Sequence, residues 1–268
     1  MTKLQGLVLW SAVGAVAALG LAGPDVLARA ADQSRQRLLD QPRDWDQRDN
    51  RDDDDDRGPR ETETVERSAT LPANGVVRIK NFSGQIRVVP GSGRNVVVKA
   101  TRRAPRETLD HVTLEVTSSG SAVTIEANRK DPNWTRRNNN VVDTQMTVEV
   151  PAAADLDIEA FSSDVDVEGL SGDQRIKTFS GRITIQGLKG EIDAETFSAD
   201  IRVTLDSTTK GNVSFSTFSG SLDSDVPISM TSVGGRRRSN NVDGTLAGGA
   251  GPRLRFHTFS GDVELRSR

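Results

Sequence analysis

Residue types that perform covalent catalysis are scarce in this sequence. The chain contains no cysteine, which excludes thiol nucleophiles, disulfides and thiolate metal sites. Its two histidines, His111 and His257, are far apart in the sequence, and neither lies in a motif that pairs an imidazole with a nucleophile or a metal. We interpret both as surface or packing residues. The sequence therefore predicts no catalytic residue, no metal site and no cofactor.

Serine recurs in a Phe-Ser-Gly motif, where it could in principle act as a nucleophile. A nucleophile elbow would need the pattern G-x-S-x-G and a histidine partner. Here the serine recurs six times, whereas an active site is needed only once. Glycine tolerates a sharp corner or a bulge, and a serine hydroxyl can bond the backbone groups that a corner frees. The motif therefore indicates architecture.

Two arginine clusters are the candidates for binding. Arg136 and Arg137 precede three asparagines, and Arg236, Arg237 and Arg238 precede Ser-Asn-Asn. If both loops project from one side, the five guanidinium groups could bind an acidic polysaccharide or a lipid phosphate. The alternative is two solvated loop tips. Nucleic acid is not expected as a partner, because the net charge is −3 and no aromatic residues interleave the arginines.

Residues 1–30 have the three parts of a secretory signal peptide. Lys3 precedes an apolar run at residues 7–22, and Ala28-Arg29-Ala30 supplies the small residues of a cleavage site. The apolar run is short for a membrane-spanning helix, although a retained anchor is the alternative. We expect cleavage before Ala31, export to the periplasm, cell surface or medium, and no transmembrane segment afterwards.

Residues 31–67 are polar almost throughout and include five consecutive aspartates, Asp52–Asp56. Calcium loops space their oxygen ligands at alternate positions around a glycine, so adjacent aspartates do not fit that geometry. A segment with so few apolar residues cannot offset its ordering entropy. We therefore predict a disordered charged linker.

Residues 68–268 are organised by the repeated Phe-Ser motif. Apolar and polar residues alternate after each copy, as in half-buried strands. A shift of about 18 residues superposes Val165, Ile183 and Ile201. This pattern predicts an all-β, single-domain β-solenoid or β-helix with coils of about 18–21 residues, preceded by N-terminal antiparallel strands. The six copies begin at Phe82, Phe161, Phe179, Phe197, Phe218 and Phe259.

The repeat carries two further expectations. The phenylalanine row, including Phe179, is expected to form a buried ladder. The last repeat, Phe259 to Arg266, runs almost to the C-terminus, so we expect an uncovered terminal coil with an open β-edge. Such an edge predicts end-to-end self-association.

The sequence resembles the bacterial putative-adhesin family over residues 68–268. The resemblance is carried by the Phe-Ser-Gly repeats, by Gly169-Leu170-Ser171-Gly172 and Gly187-Leu188-Lys189-Gly190, and by a strand that ends at Pro151. It implies an exported or envelope-associated β-strand-repeat protein, and the family has no catalytic residues to carry over. This chain departs from the pattern between Ser224 and Gly251.

Three functions are compatible with these features. The first is an exported, non-enzymatic structural or interaction protein of the cell envelope, with envelope polysaccharide or other surface proteins as partners. The second is a polysaccharide-active β-helix enzyme, which would need two carboxylates facing each other across a bound sugar, usually beside aromatic platforms. Aromatic residues make up only 4% of the chain, and its acids alternate with bases. The third is a sensor or regulatory subunit for envelope stress.

Overall fold

The computed structural model describes residues 59–72, 74–134, 141–187, 189–235 and 240–268. Within these ranges the chain forms a nearly all-β structure with one short helix, α1 (Arg106–His111). The strands are β1 (Arg60–Thr70), β2 (Val76–Gly91), β3 (Asn95–Pro105), β4 (Val112–Ser119), β5 (Ala122–Lys130), β6 (Asp143–Pro151), β7 (Asp155–Glu168), β8 (Gln174–Thr178), β9 (Ile183–Gln186), β10 (Ile192–Thr196), β11 (Ile201–Leu205), β12 (Gly211–Thr217), β13 (Leu222–Ser224), β14 (Ile228–Gly235), β15 (Asn240–Leu246), β16 (Arg253–Thr258) and β17 (Val263–Ser267).

Most coils of the solenoid consist of two short strands joined by a Phe-Ser corner, whereas β2 and β7 run through the corner as one long strand. We call the part before the corner the first strand of a coil and the part after it the second strand. In one coil, β8 pairs in parallel with β7 and β10, and β9 pairs in parallel with β7 and β11. The register is the one that the repeat predicts, because Ile176 lies opposite Ile158 and Ala194. The all-β solenoid is therefore confirmed.

The core lies between the two strands of each coil. Alternate residues of both strands point inward and are sealed from water, and burying each large apolar side chain contributes about 1.5–3 kcal/mol. The inward rows are Ile158, Ile176, Ala194, Phe256 and Phe215 in the first strands, and Val165, Ile183, Ile201 and Val263 in the second strands.

The phenylalanines of the repeated motif face solvent, so the expectation of a buried ladder is wrong. Phe179 is 44% exposed, and the other five are similar. The cause is the alternation within the preceding strand: Ile176 and Thr178 point inward, so the next residue points outward. Thr178 keeps its inward position because its hydroxyl donates to the carbonyl of Gly181 across the corner, at 2.7 Å.

The N-terminal part contains the predicted antiparallel strands. β3 pairs with β1 and β6, and β4 pairs with β5, all antiparallel, while β2 joins this part to the solenoid by parallel pairing with β5, β6 and β7. β1 begins at Arg60, inside the segment expected to be a disordered linker. It is ordered because it pairs with β3 along its whole length and packs Val65 and Ala69 against the core.

The C-terminal coil is internal, so the expectation that it ends the solenoid is wrong. β16 lies between β10 and β12, and β17 lies between β11 and β13. The preceding coil, β12 and β13, is therefore the outer one. β15 pairs antiparallel with β12 on its other side and with β14, so the irregular stretch between Ser224 and Gly251 contributes a hairpin that covers half of this coil.

The part of the chain that the structure describes contains one short helix, α1. Over these residues no helix has both the length and the hydropathy of a membrane span.

Candidate functional site

Six exposed phenylalanines form a continuous stack along one side of the solenoid. Adjacent ring centroids are 4.7–4.9 Å apart, and neighbouring ring planes lie within 13° of parallel. This spacing is the strand separation, so each coil places its ring directly over the next. We call this stack the phenylalanine ladder; its order in space is Phe82, Phe161, Phe179, Phe197, Phe259 and Phe218.

Four of the six corners that present a ring have glycine, with no side chain, two residues after the phenylalanine. A Cβ added to Gly181 would lie 1.7 Å from the carbonyl oxygen of Ser163 in the neighbouring coil, and one added to Gly261 would lie 2.0 Å from the carbonyl oxygen of Ala199. Both values are far inside contact distance, so these glycines let successive corners approach. The close approach keeps the rings at stacking distance.

Stacking leaves only the ring edges of the inner phenylalanines available to a partner. Each of the four inner rings has a neighbour on both faces, while the end rings, Phe82 and Phe218, have one neighbour each. Taking about 200 Å² for a phenylalanine side chain, the exposed fractions of 42–53% give an apolar ridge of roughly 500 Å². This is near the upper limit of about 300–600 Å² for the largest apolar patch of a typical monomer.

A row of mostly charged residues runs parallel to the ladder, two residues before five of the six phenylalanines. We call it the charged row. Its lysines and glutamates alternate in sign and pair along the row: Lys80 lies 3.1 Å from Glu159, and Lys177 lies 2.8 Å from Glu195. The Glu195 carboxylate accepts a hydrogen bond from Lys177 and so raises the pKa of that lysine. The row consists of Lys80, Glu159, Lys177, Glu195 and His257.

A shallow groove separates the ladder from the charged row. Two adjoining cavities, of about 380 and 300 Å³, form it and share Glu159 and Ala160 in their linings. Side chains two residues apart on a strand are about 7 Å apart, which sets the groove's width. Its walls are ring edges on one side and the aliphatic stems of Lys177 and the other charged residues on the opposite side.

The second strands carry a different surface, in which polar side chains tie coils together. The Asp164 carboxylate accepts from the backbone N–H of Arg182, and the Asp200 carboxylate accepts from that of Asp262. On the outer face, the Arg202 Nε donates to Glu264 at 2.9 Å, and this hydrogen bond lowers the pKa of Glu264.

The lowered pKa of Glu264 predicts a pH-dependent contribution to stability. The unfolded chain takes up the glutamate proton at its ordinary pKa near 4.5, whereas the folded chain takes it up only at lower pH. Stability from this pair is therefore complete above the ordinary glutamate pKa and declines as the pH falls below it. Denaturant melts across pH 3–7 should show that the free energies of unfolding of wild type and E264Q become equal at the acidic end.

R202Q should also lose most of the stability that the wild type gains between acidic and neutral pH. If the free energies of wild type and E264Q differed by the same amount at every pH, the assignment would be contradicted.

Comparison with known proteins identifies the repeat region. Residues 152–266 match the family model described as Toastrack DUF4097. We call residues 152–266 the Toastrack-like region. A crystal structure of a cell adhesion protein from Clostridium sporogenes, itself designated putative, shares the fold with a TM-score of 0.53 at 7% identity, covering 77% of this chain and 100% of that one. The resemblance to the putative-adhesin family is thereby confirmed.

A second solved structure and the curated proteins complete the comparison. A putative adhesin from Bacteroides fragilis aligns with a TM-score of 0.31 at 8% identity, over 77% of this chain and 97% of that one. No curated protein matches the sequence.

Several acidic residues of the Toastrack-like region have structural partners. A cavity of about 430 Å³ is lined by acids and arginines of neighbouring coils. In it Asp193 pairs with Arg255 at 3.3 Å, and the carboxylates of Asp155 and Asp173 accept from backbone N–H groups of the next coil. These contacts hold the coils in register. Among the described residues, no three histidine, aspartate or glutamate side chains are placed to hold one metal ion.

The residues singled out from the sequence have different outcomes. Arg136, Arg137, Arg236, Arg237 and Arg238 all lie outside the described residues, so the anion-binding loops stay a prediction. The histidines are separate: His111 lies outside the Toastrack-like region, where its ring stacks on Trp134 at a centroid distance of 5.1 Å and its Nδ1 lies 3.6 Å from the Asp131 carboxylate, and His257 belongs to the charged row.

Sequence reasoning missed the phenylalanine ladder as a surface. The signal was available in the alternation that runs through each first strand. Continuing the period of two from Ile176 through Thr178 places Phe179 outside, whereas we expected the phenylalanine to be buried because it is apolar.

Proposed function

We propose that this chain is an exported, non-enzymatic interaction protein of the bacterial cell envelope, whose solenoid presents the phenylalanine ladder to a protein partner. The observation that carries the proposal is the exposure of six stacked aromatic rings in one uninterrupted ridge. Aromatic residues dominate the buried centres of protein interfaces, and polar residues surround them. The ladder and its charged row have this arrangement.

The ring geometry favours a protein over a polysaccharide. A sugar ring stacks on an open aromatic face, but the faces of the inner rings are covered by their neighbours. Ring edges instead suit aliphatic side chains and the faces of other aromatic rings, because an aromatic edge is positive and an aromatic face is negative. The lysines and glutamates of the charged row pair with each other, so their charges cancel and do not favour a charged polymer as the partner.

The remaining parts of the proposal have separate support. The signal-like residues 1–30 favour export. An adhesin-like role agrees with the designation of the Clostridium sporogenes structure as a cell adhesion protein. A non-enzymatic role agrees with carboxylates that are committed to arginines and backbone N–H groups, instead of facing each other across an open cleft.

Photocrosslinking in the native envelope tests the proposal. A photoreactive phenylalanine analogue at position 179 keeps an aromatic ring in the ladder, and the same analogue at Gln186 places it on the exposed face of the second strand of that coil. We expect a crosslinked protein, identified by mass spectrometry, from position 179 and not from position 186. Crosslinks from position 179 to glycan alone, no crosslinks there, or equal crosslinking at both positions would overturn it.

A further inference from the structure

The last two coils of the solenoid are stacked in the reverse of their sequence order. The C-terminal coil, β16 and β17, lies between the outer coil, β12 and β13, and the coil formed by β10 and β11, which we call the receiving coil. The outer and C-terminal coils have the same corner sequence, Thr-Phe-Ser-Gly, at residues 217–220 and 258–261. We propose that the C-terminal coil is a detachable insert. When it leaves, the outer coil takes its place on the receiving coil and the solenoid stays folded.

The strand registers allow this replacement residue by residue. Ala194 of the receiving coil lies opposite Phe256, and Phe256 lies opposite Phe215 of the outer coil. Removing β16 and closing the gap by one strand spacing, about 4.8 Å, sets Phe215 opposite Ala194. Phe215 is the same residue type as Phe256, so this core pair is unchanged. The other apolar pairs that form on closure are Ile192 with Val213 and Ile201 with Leu222.

The Phe-Ser corners of the two coils are interchangeable as well. Gly261 approaches the receiving coil so closely that an added Cβ would lie 2.0 Å from a backbone carbonyl oxygen, and the equivalent residue of the outer coil is also a glycine, Gly220. The Asp200 carboxylate accepts a hydrogen bond from the backbone N–H of Asp262 at 3.0 Å, and Asp262 accepts one from that of Ser221 at 2.7 Å. On closure the Ser221 N–H takes the position of the Asp262 N–H beside Asp200.

The outward side chains of the outer coil also match the receiving coil. Arg202 pairs with Glu264 at 2.9 Å, and Asp223 of the outer coil lies opposite the same glutamate. Closure therefore sets one carboxylate opposite Arg202 in place of another. The phenylalanine ladder remains continuous, because Phe197 and Phe218 stack on the two faces of the ring that leaves.

The chain connections are compatible with the exchange. The segment between β11 and β12 already spans two strand spacings, so it can also span one. The segment between β15 and β16 contains Gly248, Gly249 and Gly251, and the first two have φ angles of 91° and 80°. Glycine adopts many backbone conformations, so this segment can redirect β16. β15 pairs with the far side of β12, where closure does not disturb it.

The inserted arrangement is the more stable of the two. Closure sets the polar Ser224 opposite Val203, where Leu265 had been. It also returns to water four side chains that the inserted arrangement buries completely. The closed arrangement is therefore a minor state of the protein, and a covalent crosslink can accumulate it. The four side chains are Leu254, Phe256, Val263 and Leu265.

Disulfide trapping tests the inference, because the chain has no cysteine of its own. Glu195 and Ser216 lie opposite His257 on its two sides, so they are two strand spacings apart. That separation, about 10 Å, is too long for a disulfide, whose Cα atoms lie within about 7 Å of each other. In the closed arrangement the two residues become neighbours. We expect E195C/S216C to form an intramolecular disulfide under oxidising conditions.

The matched control is K177C/H257C, whose cysteines are also two strand spacings apart, on either side of Glu195. The strand between them, β10, is joined to β9 and β11 by short connections and cannot leave the solenoid. We expect no disulfide from this pair. E195C/H257C, one spacing apart, should crosslink readily in the inserted arrangement.

A charge in the interior of the C-terminal coil should favour closure. We expect Phe256→Asp to speed crosslinking of E195C/S216C by at least about tenfold, because a buried carboxylate without a partner is strongly unfavourable. Most of the strand signal in circular dichroism should remain. Trypsin should then cleave after Arg255, which β10 and β12 flank in the inserted arrangement.

Three results would overturn the inference. The first is crosslinking of E195C/S216C that is no faster than that of K177C/H257C. The second is a crosslinked E195C/S216C protein in which Arg255 still resists trypsin, because the C-terminal coil would then be in place. The third is loss of the whole strand signal in the Phe256→Asp variant, which would show that the other coils do not stay folded without this one.

Discussion

Replacing Phe256 by alanine should lower the free energy of unfolding by about 3–5 kcal/mol, whereas Phe259→Ala should cost only about 1–2 kcal/mol. The two residues belong to the same coil and are chemically identical. Phe256 is completely buried in the interior row, so its removal leaves a cavity. Phe259 is 42% exposed, so its loss removes two stacking contacts and only about half of the buried surface that Phe256 contributes.

Denaturant melts of the wild type and of both variants measure this difference directly. Equal losses for the two variants would show that the ladder is part of the core.

The second large effect is expected for Gly181→Ala, which should destabilise the fold by about 2–3 kcal/mol. In a permissive site this change stabilises by about 0.4–1 kcal/mol, because it restricts the unfolded chain. Here the added methyl group would lie 1.7 Å from the carbonyl oxygen of Ser163, a backbone atom that cannot rotate away. Hydrogen bonds from Phe179 and Ser180 to the carbonyl of Phe161 hold the two corners together. The clash therefore outweighs the entropic gain, as overpacking does elsewhere.

Ser180→Ala is the matched control, because it changes the adjacent residue by one exposed hydroxyl group. We expect it to alter stability by less than about 0.5 kcal/mol. Urea melts of both variants, with circular dichroism as the readout, would check the pair. A neutral or stabilised Gly181→Ala protein would mean that the corners are farther apart than the structure places them.

The repeat and the alternation of apolar and polar residues determine most of the architecture. The 18-residue period sets which residues lie opposite each other, as Ile158, Ile176 and Ala194 do. Since the side-chain period of a strand is two, the same alternation sets which residues point inward. The family resemblance, the solenoid and the N-terminal antiparallel strands all follow from patterns within short segments.

Three features were decided only by the tertiary structure. The order of coils in space depends on strand pairing between residues far apart in the sequence. No local sequence pattern predicts that β16 lies between β10 and β12. β1 is ordered because β3 offers it a partner, although its own sequence is mostly charged.

The stacking of the rings into one ladder is the third feature, because the alternation within each strand predicts only that its ring points outward. Phe179 is apolar, and hydrophobicity alone predicts burial, but Thr178 occupies the inward position because its hydroxyl satisfies the corner carbonyl of Gly181. Once the threonine is inside, the pleat turns the phenylalanine outward, and stacking on the neighbouring coils recovers part of the burial that the interior would have given. The sequence contains every ring of the ladder, but the stacking of coils decides that the rings form a surface.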